Sequence, residues 1–180
     1  MSEHKLFQKL QSGDAMAFQK MFELHSDAVF GYAVKLLQDR PRAEDVCQEV
    51  WIQLLKSARG IEFKETLLPY LLTLTRNRCL DQLRRKKDFS FDENLDGHDI
   101  ADPRPDEIEA LMTTDEKTKI LKACLEHLPE RQRVAVTMWM SEERSYQDLT
   151  QDLACSIQTL KSLLFRAKEH LKACVEKVKI

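Results

Sequence analysis

Residues 88–115 carry ten acidic residues against one basic residue, a net charge of −9. Within them, "DFSFDENLDGHDIADPRPDEIEALM" holds Pro103 and Pro105 and shows little hydrophobic periodicity until about Ile108. Such a segment buries too little apolar surface to offset the entropy of ordering it. The segment therefore reads as a linker, and two small domains are expected. The expected boundaries are 1–88 for the first domain, 89–112 for an acidic flexible linker, and 113–180 for the second domain. An ordered surface loop is the other reading of the segment. The overall charge of −2 conceals a basic, acidic, basic order: residues 1–87 carry +4 and residues 116–180 carry +3.

Both flanking blocks read as helical. The chain has four glycines and few alternating β-branched runs, so the fold class expected is all-α. In "SGDAMAFQKMFELH", Asp14 is placed to cap a helix whose apolar residues are Met16, Phe18, Met21 and Phe22. A second helix is expected from about Ser26 to Leu37, ended by "QDRPRAED", because Pro41 cannot continue a helix interior. A third follows in "AEDVCQEVWIQLLKSA", stopping near Gly60, and a fourth in "LLPYLLTLTRNRCLDQLRRKK", with Pro69 near its first turn. Helicity resumes at "TTDEKTKILKACLEHL", where Thr113 and Glu116 have capping-box spacing, and again after Pro129.

Composition narrows the function classes. Charged residues make up 32% and mean hydropathy is −0.46, as in a soluble chain. The densest apolar run, "LLPYLLTL", falls far short of the roughly 20 residues of a membrane span. No cationic-then-apolar export signal opens the sequence. The five cysteines, Cys47, Cys79, Cys124, Cys155 and Cys174, form no CxxC and are read as reduced core thiols of a cytoplasmic protein. His170 and Cys174 have ligand-like spacing, but two ligands do not make a zinc site, so no metal and no cofactor are expected. With no Ser/His/Asp set and no Walker loop, the expectation is a binding protein rather than an enzyme.

The stretch "SYQDLTQDLACSIQTLKSLLFRAKEHLK", from Ser145, has helix–turn–helix spacing. Ser145 and Ser156 are placed to cap its two helices, with "ACS" as the turn. Rotating the second helix puts Ile157, Leu160, Leu164, Ala167, Leu171 and Val175 in one sector of about 80°, the expected core face. Gln158, Ser162, Arg166 and Glu169 lie opposite, Thr159 and Phe165 beside them, and Lys161, Lys168 and Lys172 on the flanks. Polar side chains that reach base edges, flanked by lysines for phosphates, suit a recognition helix. Packing of Phe165 on a neighbouring helix, with solvated lysines, is the alternative that these residues leave open.

Two further surfaces stand out. "TRNRCLDQLRRKKD" places Arg76, Arg78, Arg84, Arg85, Lys86 and Lys87 within twelve residues, a set that can follow a phosphate backbone. Arg84–Lys87 can equally complement the helix's own C-terminal dipole. The preceding loop "GIEFKETLL" brings Phe63 and Tyr70, which suit stacking on unpaired bases or ordinary packing. By contrast, Glu44, Asp45, Gln48 and Glu49 form an acidic face that suits a basic protein partner or simple solvation, with Val46, Val50, Trp51, Leu54 and Leu55 supplying apolar surface.

Together these stretches resemble the sigma factors of bacterial RNA polymerase, specifically the small two-domain extracytoplasmic-function (ECF) type. "DAMAFQKMFELHSDAVFGYAVKLLQDRPRAEDVCQEVWIQLL" is similar to regions 2.1–2.2, "PYLLTLTRNRCLDQLRRKK" to 2.3–2.4, and the stretch from "LEHLPERQR" through "LFRAKEHLK" to region 4. The resemblance runs nearly end to end, leaving out the linker and the termini. It implies that the first domain docks on the clamp helices of the polymerase β′ subunit through Asp45, Gln48 and Glu49. It implies that the same domain captures the melted −10 element. There the loop from Glu62 to Leu68 (Glu62, Phe63 and Lys64 among its residues) and Asn77 would hold a flipped base, and Arg84, Arg85 and Lys86 nearby phosphates.

For the second domain the resemblance implies a seat on the β flap and −35 contacts through Lys161, Ser162, Phe165 and Arg166. The acidic linker would pass along the RNA-exit path, and a cognate anti-sigma factor is the implied regulator. The sequence departs from the family pattern at Tyr70, where tryptophan is usual, at Leu163, where arginine is common, and at Cys155 in the turn. A stand-alone dimeric helix–turn–helix regulator and a helical adaptor are the competing readings, and core-polymerase binding separates them from a sigma factor.

Overall fold

The structure is a computed structural model and describes residues 2–62, 66–86, 89–91, 115–141 and 145–178. All regular elements among these residues are helical. The chain divides into two compact units, Met1–Lys87 and Asp88–Ile180.

In the first unit, α1 (Glu3–Gln11), α2 (Ala15–Leu37), α3 (Arg40–Ser57) and α4 (Leu68–Arg84) surround one core. Asp14 caps α2, its carboxylate accepting from the amides of Met16 (2.9 Å) and Ala17 (3.2 Å). Gly13 before it holds φ +92°, which turns the chain sharply out of α1. The break expected near Ser26 is absent: α2 is one helix of 23 residues. Its buried residues Met21, His25, Val29, Tyr32 and Leu36 continue one stripe through that point, so packing overrides the polar pair Ser26–Asp27. The helix ends at Gln38, whose φ of +48° is the left-handed conformation of a helix cap. Asp39 then caps α3, with Pro41 in its first turn.

Helix α2 packs against α1, α3 and α4. Val46, Val50 and Leu54 of α3 and Leu71, Leu80 and Leu83 of α4 are buried completely or nearly so. Each contributes about 1.5–3 kcal/mol of apolar burial. Phe18 and Phe22 of α2 lie 6.0 and 5.0 Å from the Trp51 ring of α3. Arg42 ties the start of α3 to the end of α4, bonding the side-chain and backbone oxygens of Gln82, each at 3.0 Å.

Helix α1 was not expected. Its signal was present, because Leu6, Phe7 and Leu10 stand at helical spacing and are its buried side chains, but it is spread over only nine residues.

In the second unit, α5 (Asp115–Glu126), α6 (Glu130–Ser141) and α7 (Tyr146–Leu153) all pack on the long α8 (Ile157–Val178). Helix α6 is enclosed almost all round, from Gln132 through Met138. Its "LPERQR" start locks the domain together. Arg133 donates to the Leu128 carbonyl at 3.5 Å and lies 3.9 Å from Glu130. Gln132 bonds His170 of α8 at 2.8 Å.

Burial lowers the Arg133 pKa, and Glu130 opposes the shift.

The cysteine expectation needs correction. Cys124 of α5 and Cys174 of α8 form a disulfide, with Cα atoms 5.9 Å apart. The two helices lie side by side, a proximity that a separation of 50 residues does not reveal. Cys47, Cys79 and Cys155 take part in no disulfide. Burial pushes Cys79 up to about 12, with Cys47 adding to the shift, and burial followed by Glu44 pushes Cys47 up to about 11.

Thr113, and most of the segment expected to be a linker, lie outside the described residues. At its start, Phe89 and Phe91 meet edge to face at 4.9 Å, and Phe91 is buried.

Candidate nucleic-acid interface

The helix–turn–helix geometry is built by two serine caps and one left-handed residue. Ser145 Oγ accepts from the Asp148 amide at 3.2 Å and starts α7. Ala154 ends it with φ +51°, reversing the chain direction. Ser156 Oγ then accepts from the Thr159 amide at 3.1 Å and starts α8. Trp139 of α6 stacks on Tyr146, centroids 6.5 Å apart, and fixes the entry into α7.

Along α8, Leu160, Leu164, Ala167, Leu171 and Val175 are buried, but Ile157 is half exposed at 50%. Ile157 is the first residue of α8, and no described packing encloses that end of the stripe. Gln158, Arg166, Glu169 and Lys172 are exposed, and Lys161, Phe165 and Lys168 are half-buried. Ser162, placed outward by rotation, is only 4% exposed, and its neighbours Thr159 and Leu163 are buried with it. The opening turns of α8 are thus covered on two sides, whereas rotation of a single helix assumes one buried stripe. Gln158 was not among the contact positions, although its outward place was visible. It and Arg166 lie about 12 Å apart along the axis, with the buried Ser162 between them, so they are exposed as two separate positions.

In the first unit, α4 buries Leu71, Thr75, Arg76, Cys79, Leu80 and Leu83. Arg76 is 3% exposed, so it does not belong to the solvent-facing cations as expected. Its position follows from α4 being enclosed on both the α2 and the α3 sides. Asn77, Arg84, Arg85 and Lys86 are exposed. Arg84 lies 3.8 Å from Asp81, one turn earlier, and Arg78 lies 3.6 Å from Glu49 of α3.

Phe63, Lys64 and Lys87 lie outside the described residues. Of the loop before α4, Glu62 and Thr66 are exposed and Leu67 is fully buried. The Tyr70 hydroxyl hydrogen-bonds Ser57 at 3.1 Å, which ties the first turn of α4 to the end of α3.

The outer face of α3 presents Glu44, Asp45, Gln48 and Glu49, all exposed. Ile52 and Leu55 continue that face, each 51% exposed, so the surface is acidic at one end and apolar at the other. Leu55 thereby stands apart from the buried Val46, Val50, Trp51 and Leu54.

Among the described residues no group of His, Cys, Asp or Glu is arranged to hold a metal. Cys174 is bonded to Cys124, and His170 to Gln132. No described helix is long and apolar enough to cross a membrane.

Comparison with known proteins places these two surfaces in one family. Residues 21–89 match the family model for Sigma-70 region 2, and residues 118–171 match that for Sigma-70, region 4. An ECF RNA polymerase sigma factor SigK from Mycolicibacterium vanbaalenii is 25% identical over 171 residues, covering 94% of this chain and 87% of its own. The SigK of Mycobacterium bovis is 23% identical over 172 residues, covering 95% and 92%. Two solved structures share the fold. The sigma factor RpoE of Bartonella quintana, in complex with the anti-sigma factor NepR, has a TM-score of 0.52 at 24% identity, covering 88% of this chain and 96% of its own. CnrH, in complex with the cytosolic domain of CnrY, has a TM-score of 0.54 at 16% identity, covering 97% of both chains. With both regions present in this order, the chain belongs to the sigma-70 family, as an ECF-type RNA polymerase sigma factor acting in promoter-specific transcription.

Proposed function

We propose that the chain works in the cytoplasm as a dissociable initiation subunit without chemistry of its own, dividing promoter reading between its two units. The exposed α3 face, with Asp45, Gln48 and Glu49, docks on the clamp helices of β′. Ile52 and Leu55 add apolar contact at the edge of that face. The loop from Glu62 to Leu68, with Asn77 beside it, takes a flipped base of the melted −10 element, while Arg85 and Lys86 hold phosphates. Arg84 joins them once it leaves Asp81.

Helix α8 enters the major groove at the −35 element while its unit rests on the β flap. Arg166 and Gln158 are its outermost readers, with Lys161 and Phe165 beside them. Ser162 takes part only when its covered side opens. The reading rests on one observation above all: a doubly capped helix–turn–helix leaves Gln158 and Arg166 of α8 exposed, on either side of the covered Ser162. An anti-sigma protein, as in the RpoE–NepR complex, is the partner class that regulates it.

Run-off transcription with purified core polymerase, with and without this chain, tests the proposal. Promoter-specific transcripts are expected only when the chain is present. Failure of core polymerase to retain the chain, or to start from any candidate promoter with it, overturns the reading.

A further inference from the structure

Arg42 stands in the first turn of α3, yet its guanidinium reaches the last turn of α4. Nε donates to Gln82 Oε1 and Nη2 to the Gln82 carbonyl, each at 3.0 Å. Both acceptors are uncharged. Neighbouring arginines are held differently: Arg40 lies 3.4 Å from Glu44, Arg78 3.6 Å from Glu49 and Arg84 3.8 Å from Asp81. Among the described residues no carboxylate comes within ion-pair distance of the Arg42 guanidinium. Asp39, three residues earlier, accepts from the Arg42 backbone amide at 3.1 Å instead, as the cap of α3.

The bond to the Gln82 carbonyl has a local reason. The last carbonyls of a helix lack partners within it, and a cation there complements the negative end of the dipole. The bond to Gln82 Oε1 does not cap anything. It fixes the plane of the guanidinium by holding a second atom of the same edge. The Nη1 end of the fork makes no bond among the described residues. Neutral oxygens thus aim the group and leave its positive charge uncancelled, whereas a carboxylate would have cancelled it.

The place it is held matters as much. Arg85 and Lys86 follow Gln82 by three and four residues. Arg85 keeps helical backbone, with φ −69° and ψ −17°, and the Lys86 amide still bonds the Leu83 carbonyl at 3.0 Å. Both side chains therefore leave α4 on the side that Gln82 occupies, and both residues are exposed.

We propose that Arg42 is a further phosphate-binding residue of the −10 surface, contributed by α3 and aimed by Gln82, beside Arg85 and Lys86. The inference rests on the reading of Arg85 and Lys86 as phosphate holders. A guanidinium already fixed in one plane offers two parallel donors to a phosphate and gives up little freedom on binding it.

The test uses the full chain with core polymerase on a promoter it transcribes. Affinity for the DNA is measured from about 50 to 200 mM salt, because each neutralised phosphate adds to the salt dependence. Core affinity and urea stability are measured separately. Arg42→Gln carries the test, with Gln82→Ala and Arg85→Ala alongside.

Arg42→Gln is expected to keep core affinity, to bind DNA about tenfold more weakly at the lowest salt, and to lower the slope of log affinity against log salt by about 0.7–0.9, one phosphate's share. Gln82→Ala keeps the charge but not the aim, so it should weaken DNA binding by about fivefold with the slope retained. A lowered slope in Arg42→Gln with core affinity intact supports the proposal. A slope that falls in Arg85→Ala but not in Arg42→Gln overturns it and leaves the phosphate reading standing, and a slope unchanged in both overturns both. Lost core affinity in Arg42→Gln also overturns it, by moving the residue to the protein surface. Should Arg42→Gln not fold, Gln82→Ala decides: DNA affinity equal to the parent's overturns the proposal, and the fivefold loss with core affinity kept upholds it.

Discussion

Arg78 of α4 lies 3.6 Å from Glu49 of α3, so a cation of the helix proposed to hold DNA and an anion of the helix proposed to dock on polymerase partly neutralise each other. Both side chains are about half exposed, so water and salt screen the pair. The pair is therefore expected to add little to the stability of the fold. A double-mutant cycle of Arg78→Ala and Glu49→Ala, read by urea unfolding, is expected to give a coupling below about 1 kcal/mol. A coupling well above that would make the pair structural.

Arg166→Ala is expected to weaken −35-dependent run-off transcription by about tenfold while leaving core binding intact, since a side chain reading a base edge contributes about 1–3 kcal/mol of discrimination. Core binding is measured by pull-down of the polymerase. A loss there would move Arg166 from the DNA surface to the protein one.

Asn77→Ala is expected to slow open-complex formation more than it weakens closed-complex binding. The penalty for an unheld flipped base falls only on the melted state. Footprinting at low and high temperature separates the two steps, and equal effects on both would remove the flipped-base role.

Removing the Cys124–Cys174 bond by double serine substitution is expected to lower the stability of the second unit by about 4 kcal/mol, the loop-entropy value for a closure of this length. Differential scanning calorimetry, with and without dithiothreitol, resolves this. The unfolding of the first unit, which has no part in the bond, should stay in place.

Acid should loosen the first unit through Glu3, whose Oε1 accepts from the Leu67 amide at 2.7 Å. Burial raises its pKa, but the bonds from Leu67, His25 and Thr66 outweigh it. The carboxyl pKa is thus depressed on folding, so its contribution is fully present above the unfolded carboxylate pKa and is lost as pH falls through the folded value. Amide exchange at Leu67, followed from near-neutral pH downward and corrected for intrinsic rates, should show protection fading below the ordinary carboxylate range. Glu3→Gln should flatten that fading.

Much of this architecture is legible in the sequence because it is local. Ser145 and Ser156 sit one position ahead of apolar-periodic runs, and both cap the helices they predict. Asp14 and Pro41 likewise act within a turn of their own positions. What depends on neighbours far along the chain is not legible. The cover over Ser162 and the exposure of Ile157 follow from which sides of a helix are enclosed, whereas Arg76, three, four and seven residues before buried Cys79, Leu80 and Leu83, stands on a stripe that the sequence does show. Helix α1 was legible in the helical spacing of Leu6, Phe7 and Leu10, although its nine residues make only a short run. The disulfide was not, because Cys124 and Cys174 meet only through the pairing of two helices.

Ala154 holds its left-handed backbone with a side chain of one methyl group. Glycine would relax that position, while a β-branched residue would oppose it and tilt α7 against α8. The setting of α8 against α7 is therefore governed by a corner residue one methyl group in size, so its angle can be altered by a substitution that leaves every side chain of α8 in place.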